Sequence, residues 1–197
     1  MKNIFVVEQK DIDVVAQMAY EFWGDHLEGE TEEFKRFITE YSIRVDQVDY
    51  QYSYGYKDPE PAAYLLVAKP YDENQADIWY NEHVKYFSER EQKIAREYQE
   101  YFTEYAKALT KHVQPGDIKI SFLISTQKGS GSILLNHLEE ICRREGGKTL
   151  YLWTDTTCNH TYYHIKGFEK VEQHVHDFSD GEVLGTMIYR KVISAEK

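Results

Sequence analysis

Residues 118–168 read IKISFLIS (118–125), TQKGSGS (126–132), ILLNHLEEICRREGGK (133–148), TLYLWTDTTCN (149–159) and HTYYHIKGF (160–168). The first run is apolar and β-branched, the third repeats apolar residues at three- and four-residue steps, and the fourth returns to a strand pattern. In order they make a strand, a glycine turn, an amphipathic helix, a second strand and a second helix. This is a βαβα unit with glycines at its first strand-to-helix corner. Lacking a Cβ, Gly129 and Gly131 permit positive φ and close approach of the backbone, so several amide N–H groups can converge on one anion. A helix beginning near Ser130 adds free N–H groups and the positive end of its dipole. The dipole alone contributes only about 0.3–1 kcal/mol, so affinity for a phosphate rests on the number of amides engaged, with Lys128 as an added charge.

Two common phosphate motifs do not fit these residues. A dinucleotide fingerprint needs a third glycine three residues after the second, where this chain has Leu134. A Walker loop needs Gly-Lys-Ser/Thr, and Gly131 is followed by Ser132 and Ile133. The stretch instead resembles the GNAT N-acetyltransferase superfamily, whose loop for the pyrophosphate of acetyl-CoA is Gln/Arg-x-x-Gly-x-Gly/Ala between a strand and a helix. Gly129-Ser130-Gly131 supplies its glycine part, while the position three before Gly129 is Thr126 and the glutamine is Gln127. One strand later, Asn159-His160-Thr161-Tyr162-Tyr163-His164-Ile165-Lys166-Gly167-Phe168 resembles the family's Asn-x-x-x-Tyr-x-x-x-Gly-Phe segment. The likeness covers residues 118–193 well and residues 1–70 in outline.

The resemblance implies an α/β (α+β) GNAT fold, a mixed central sheet of about six to seven strands flanked by helices, with acetyl-CoA as cosubstrate. It implies that the strand end at Leu123, Ile124 and Ser125 splays from its neighbour and turns amides to the pantetheine, and that Lys128, Gly129, Ser130, Gly131 and Ser132 hold the phosphates. Asn159 either hydrogen-bonds the pantetheine or caps its helix. Tyr163 is implied as the proton donor to the departing thiolate, with packing as its alternative and Tyr162 placed in the core. A phenol of pKa near 10 still holds its proton at pH 7, which suits that role.

At 197 residues the chain fits one domain over 1–197, with an acetyl-CoA-binding core at 118–168. A net charge of −11 without a basic run argues against nucleic acid and favours a cationic small substrate. The two cysteines, Cys142 and Cys158, lack metal-ligand spacing and read as free thiols of a reducing cytosol. No apolar run approaches the roughly eighteen residues of a membrane span, and no secretory leader is evident, so a cytoplasmic protein is expected.

Earlier in the chain, Ile4–Val7 reads as a strand, and Asp11 or Asp13 can cap a helix carrying Ile12, Val15, Met18, Ala19 and Phe22. After Gly24 an acidic loop leads to a helix with Phe34, Phe37, Ile38 and Tyr41. In the GNAT family this loop borders the acceptor pocket; a plain solvated loop is the alternative. Tyr50, Tyr52, Tyr54 and Tyr56 alternate as one strand face, either core packing or an aromatic wall for a cation. Residues 62–68 form the hairpin partner. A helical insertion follows at 71–114, with an extra helix at about 86–113 whose stripe of Ile94, Tyr98, Tyr101, Phe102, Tyr105, Ala108 and Leu109 packs on the sheet, forms a dimer surface or makes a lid. After Phe168 two strands end the chain. His174, His176 and Asp177 on the first of them suggest surface residues before metal ligands.

These residues predict an acetyl-CoA-dependent N-acetyltransferase acting on a small-molecule or peptide primary amine. A GNAT-fold module that binds acyl-CoA without transfer is the second reading. Asp25, His26, Glu28 and Asp155 are all placeable as the base, and none is singled out.

Overall fold

The computed structural model of the chain describes residues 3–27, 29–69, 76–179 and 181–196. Its elements are β1 (Ile4–Val6), α1 (Ile12–Trp23), α2 (Glu32–Arg44), β2 (Tyr54–Lys57), β3 (Pro61–Ala68), α3 (Ala76–His83), α4 (Glu89–Thr110), β4 (Ile118–Ser125), α5 (Ser130–Arg144), β5 (Gly147–Asp155), α6 (Thr161–Ile165), β6 (Glu169–Asp177) and β7 (Val183–Ser194). The strands form one seven-stranded sheet in the order β1-β2-β3-β4-β5-β7-β6. Every neighbouring pair is antiparallel except β4 and β5. This is the mixed sheet of six to seven strands that the family resemblance implies.

Helices cover both faces, and the side-chain alternation of each strand sorts the contacts. On one face Leu134, Leu135, Leu138 and Cys142 of α5 pack on Ala63, Leu65, Val67, Ile120, Leu150 and Leu152. On the other, Val15, Met18 and Ala19 of α1 pack on Tyr64, Leu66 and Ile124. There too, Ala108 and Leu109 of α4 pack on Tyr151 and Ile188. Because β3 is covered on both sides, PAAYLLVA is buried at every position after Pro61, the continuous apolar run of a central strand.

Local chemistry sets the helix starts. The Thr31 hydroxyl accepts from the Phe34 N–H to cap α2, and Ser88 and Glu91 form a capping box on α4. Thr31 Oγ1 also donates to Glu91 Oε1 at 2.7 Å, joining the two helix starts. Asp11 sits at the N-cap of α1, but its carboxylate accepts from the Glu8 N–H instead of capping α1.

The inserted helix falls where the periodicity places it. Its apolar stripe packs on α2 and on the sheet, the first of the alternatives the sequence left open. The insertion also contains α3, which the sequence reading did not separate; residues 70–75 of the expected insertion lie outside the described residues. Of the tyrosine run only Tyr54 and Tyr56 lie in β2, packed against α5's side of the core. Tyr50 and Tyr52 lie in the turn before it, with Tyr52 Oη donating to Glu145 at 2.8 Å. The tyrosines are packing residues, the first of the two sequence alternatives.

Candidate active site

β4 and β5 pair at only two positions, Ile118 with Leu150 and Lys119 with Tyr151. β4 stays paired with β3 up to Ser125, and β5 stays paired with β7 up to Asp155. The two parallel strands therefore part from residues 120 and 152 onward, leaving backbone groups on their facing edges without a strand partner. An irregularity assists: Leu66 opposes Phe122 while Val67 opposes Ile120, so Ser121 is an extra residue on β4 that bends the strand.

The implied trio divides at this edge. Thr126 N–H donates to Ala62 O at 2.9 Å, so by alternation Ile124 also turns its peptide groups to β3, and its side chain is buried against α1. Leu123 and Ser125 turn theirs to the open side. Of the three, Ile124 is thus a core and ladder residue rather than a lining one.

Around the glycine corner, Gly129 has φ +91° and ψ −17° and stands as the N-cap of α5. Ser130 is buried, its Oγ lying 2.7 Å from Gln127 O, 3.2 Å from Ala62 O and 2.8 Å from Ser125 Oγ. These contacts, with the Ser130 N–H donating to Gln127 O at 3.1 Å, staple the loop to the end of β4 and to β3, so both the hydroxyl and the N–H of Ser130 are engaged in holding the loop rather than open to a ligand as the resemblance implied. Gly131 packs against Leu123 and Ser125, where an added Cβ would come within 3.5 Å of Ser125 Cβ. Among the described residues, the N–H groups of Gly129, Gly131 and Ser132 have no hydrogen-bond acceptor. Free N–H groups at the start of a fifteen-residue helix are the kind of donors that can take an anion. Lys128 is exposed beside it.

The second motif meets the first. Ser132 Oγ lies 3.2 Å from Tyr162 Oη, so Tyr162 is more than the core residue expected, having its hydroxyl at the first turn of α5. Tyr163 packs its ring on Phe168 and Tyr189, at centroid distances of 5.7 and 5.9 Å. Its own hydroxyl has no hydrogen-bond partner among the described residues. Burial, with smaller contributions from Cys158 and Tyr162, holds the Tyr163 phenol well above the ordinary tyrosine range. Asn159 is exposed, and its Oδ1 accepts from Thr161 Oγ1 at 3.0 Å, so it does not cap α6 through a backbone N–H.

The candidate bases separate. Asp155 is 8 % exposed, and its carboxylate accepts from Tyr101 Oη at 2.8 Å and from the N–H and Oγ1 of Thr157 at 2.9 and 2.6 Å. Three donors commit it to fixing the turn after β5. Asp25 and His26 lie exposed on a short 3-10 turn at Gly24–His26. Glu28 lies outside the described residues. On β6, His174 and, from the turn after α4, His112 both hydrogen-bond Glu172. Among the described residues no group of three or more His, Cys, Asp and Glu side chains is placed to hold a metal.

No protein-family model matches the chain, and no curated protein matches it. Solved structures do match over nearly its whole length. The ribosomal-protein-S18-alanine N-acetyltransferase of Escherichia coli superposes with a TM-score of 0.55 at 14 % identity, covering 98 % of this chain and 95 % of that one. A Drosophila melanogaster polyamine N-acetyltransferase that forms N-acetylagmatine gives 0.55 at 10 %, covering 96 % and 98 %. A mosquito arylalkylamine N-acetyltransferase-like protein, 5b, gives 0.54 at 12 %, covering 96 % and 98 %. The chain has the GNAT fold, the architecture of N-acetyltransferases.

Proposed function

We propose that this protein is an acetyl-CoA-dependent N-acetyltransferase that acetylates a primary amine by direct attack on the thioester. The observation that carries the reading is a coincidence of three features at one place. The β4–β5 opening, the cradle at Gly129–Ser132 and the unpartnered Tyr163 hydroxyl belong to the same end of the sheet. Solved neighbours of the fold that act on amines support it.

In this reading the amides of Gly129, Gly131 and Ser132, with Lys128, take the pyrophosphate, and the exposed edge of β4 at Leu123 and Ser125 pairs with the pantetheine amides. Asn159, exposed at the start of α6, faces the same ligand. An acceptor amine, nearly all protonated in water at a pKa near 10.4, must lose its proton before attack. Its nitrogen then forms the bond to the acetyl carbon while donors on the open edge hold the carbonyl oxygen. As the C–S bond breaks, Tyr163 gives its proton to sulfur and regains one from the amine through solvent. A partly buried phenol with a raised pKa keeps that proton ready across the neutral range.

The fit is to acyl-CoA as cosubstrate; the described residues offer it a cradle and an edge, and the free Tyr163 hydroxyl favours transfer over binding alone. The net charge of −11 suits a cationic amine and not a nucleic acid. Two free cysteines, and the absence among the described residues of any helix long and apolar enough to cross a membrane, support a reducing cytosolic setting. One sheet drawing strands from both ends of the chain supports a single domain over 1–197.

The test is steady-state thiol release from acetyl-CoA over a panel of primary amines. Amine-dependent release accompanied by N-acetyl product supports transfer. Acetyl-CoA binding without release for any amine would replace it with the acyl-CoA-binding module.

A further inference from the structure

Among the described residues, the β4–β5 opening is covered differently on its two faces. α5 and α6 close one face of the sheet there, so an amine attacking the thioester placed as above must arrive from the face of α1 and α4. On that face four aromatic side chains from four elements frame the approach: Trp23 ending α1, Phe122 on β4, Trp153 on β5 and Phe102 on α4. Trp23 meets Phe122 edge-on at 5.5 Å, and Phe102 lies 6.3 Å from Trp153, making one aromatic wall on each strand of the opening. All four keep part of their surface open, whereas Tyr101 and Tyr105 just behind them are 1 % exposed. Part-open rings on each strand give the opening, taken as a slot on this face, aromatic sides.

The buried and half-buried carboxylates on this side of the sheet are already engaged. Asp46 is held by Lys119 at 2.5 Å and Ser121 at 3.2 Å, Asp155 by Tyr101 and Thr157, and Asp77 by Tyr41 and Gln99. Glu91 is occupied by Thr31 and Ser88. Asp25, Glu100 and Glu104 are exposed and stand outside. A second ammonium carried into the slot would find no uncommitted buried carboxylate among the described residues, and leaving a buried cation unpaired is costly. A planar apolar body would instead displace water from four rings.

Resting on the acetyltransferase reading for where the reacting carbon lies, we propose that the slot of Trp23, Phe122, Trp153 and Phe102 selects an amine borne on an aryl body, an arylalkylamine, over a linear polyamine. The exposed carboxylates at the rim attract the cation; the rings choose its carrier.

The experiment is calorimetric titration of 2-phenylethylamine and of spermidine, with and without saturating CoA, on the wild type, Phe122→Ala and Trp23→Ala, each variant checked for folding by circular dichroism. Trp23 ends its helix and is partly exposed, so its variant keeps the test available where Phe122→Ala fails to fold. The expected result is 2-phenylethylamine binding about tenfold or more tighter than spermidine, weakened about fivefold or more by either substitution. Spermidine binding as tightly, or aryl binding indifferent to both substitutions, would overturn the proposal. The two readings separate in the same cell: aryl selectivity in a protein that does not bind acetyl-CoA keeps the slot and removes the acetyltransferase, and acetyl-CoA binding without aryl selectivity does the reverse.

Discussion

Ser132 Oγ and Tyr162 Oη lie 3.2 Å apart, a contact across thirty residues that ties the first turn of α5 to α6. The helix that supplies the anion cradle and the short helix that carries Tyr163 are thereby fixed to one another. In the proposed reaction, ligand binding at one and proton transfer at the other would share a rigid frame.

The two loop glycines should respond oppositely to a methyl group. At Gly129 an added Cβ meets nothing within 4 Å, yet the φ of +91° is a conformation that L residues rarely adopt. Gly129→Ala should therefore lose about 1–2 kcal/mol by strain alone. Gly131 lies in the helix with ordinary contact distances around a new Cβ, so Gly131→Ala should be neutral or stabilising by up to about 1 kcal/mol. Urea unfolding of both variants checks this, and equal losses would refute the assignment of strain to Gly129.

Tyr101 connects the insertion to the site. Its hydroxyl donates to Asp155 and lies 3.1 Å from Thr186 Oγ1, with the ring 1 % exposed. Removing that hydroxyl leaves a buried carboxylate short of a donor, so Tyr101→Phe should lose about 1.5–3 kcal/mol. The turn after Asp155 leads into α6, so kcat should fall more than KM rises. A variant as stable as the wild type in urea would show that Asp155 is satisfied without Tyr101.

The Cys142 thiol gives a pH signature. Burial pushes its pKa up to about 11, so the neutral form is favoured in the folded state. The raised value means that its contribution is complete below the unfolded thiol value of about 8.5 and is lost as pH rises from there through about 11, to a total of order ~3 kcal/mol. Cys142→Val removes this titration. The stability gap between the two proteins should shift in the variant's favour between pH 8.5 and 11, measured by denaturant unfolding; parallel curves would contradict it.

Tyr163 should reveal itself in kinetics and not in folding. Loss of the phenolic proton donor in Tyr163→Phe should lower kcat by about 10²–10⁴ with little change in acetyl-CoA affinity. Since burial raises the phenol's pKa, the wild-type rate should not decline on the alkaline side until well above the ordinary tyrosine value of about 10. A variant with near wild-type kcat would return Tyr163 to a packing role.

The parts of this molecule legible in sequence are those set by nearby residues. The β4–α5–β5 unit could be read because strand runs, paired glycines and a three-four apolar repeat are all local patterns, and α4 because twenty-two residues carry an unambiguous stripe. The parting of β4 from β5 came from family likeness alone, since pairing between strands thirty residues apart leaves no periodic trace. α3 was missed because ADIWYNEH buries only Ala76 and Tyr80 and is too short to display a period. Tyr162 reads as a core residue in sequence because a tyrosine's apolar body hides where its hydroxyl points. In sequence Asp155 is only one of several placeable bases, because its partner Tyr101 lies on an insertion fifty-four positions away. The slot aromatics were unmarked for a similar reason: Trp23, Phe102, Phe122 and Trp153 each fit an ordinary apolar position until the fold gathers them.

Calorimetric titration of acetyl-CoA into the wild type and into Gly129→Glu, with circular dichroism confirming that the variant is folded, tests the central claim most directly. Micromolar binding to the wild type that disappears when a carboxylate is set into the cradle is the result this account predicts. A wild type that does not bind acetyl-CoA, or a folded variant that binds it equally well, would contradict the claim that the corner at Gly129 holds the phosphates.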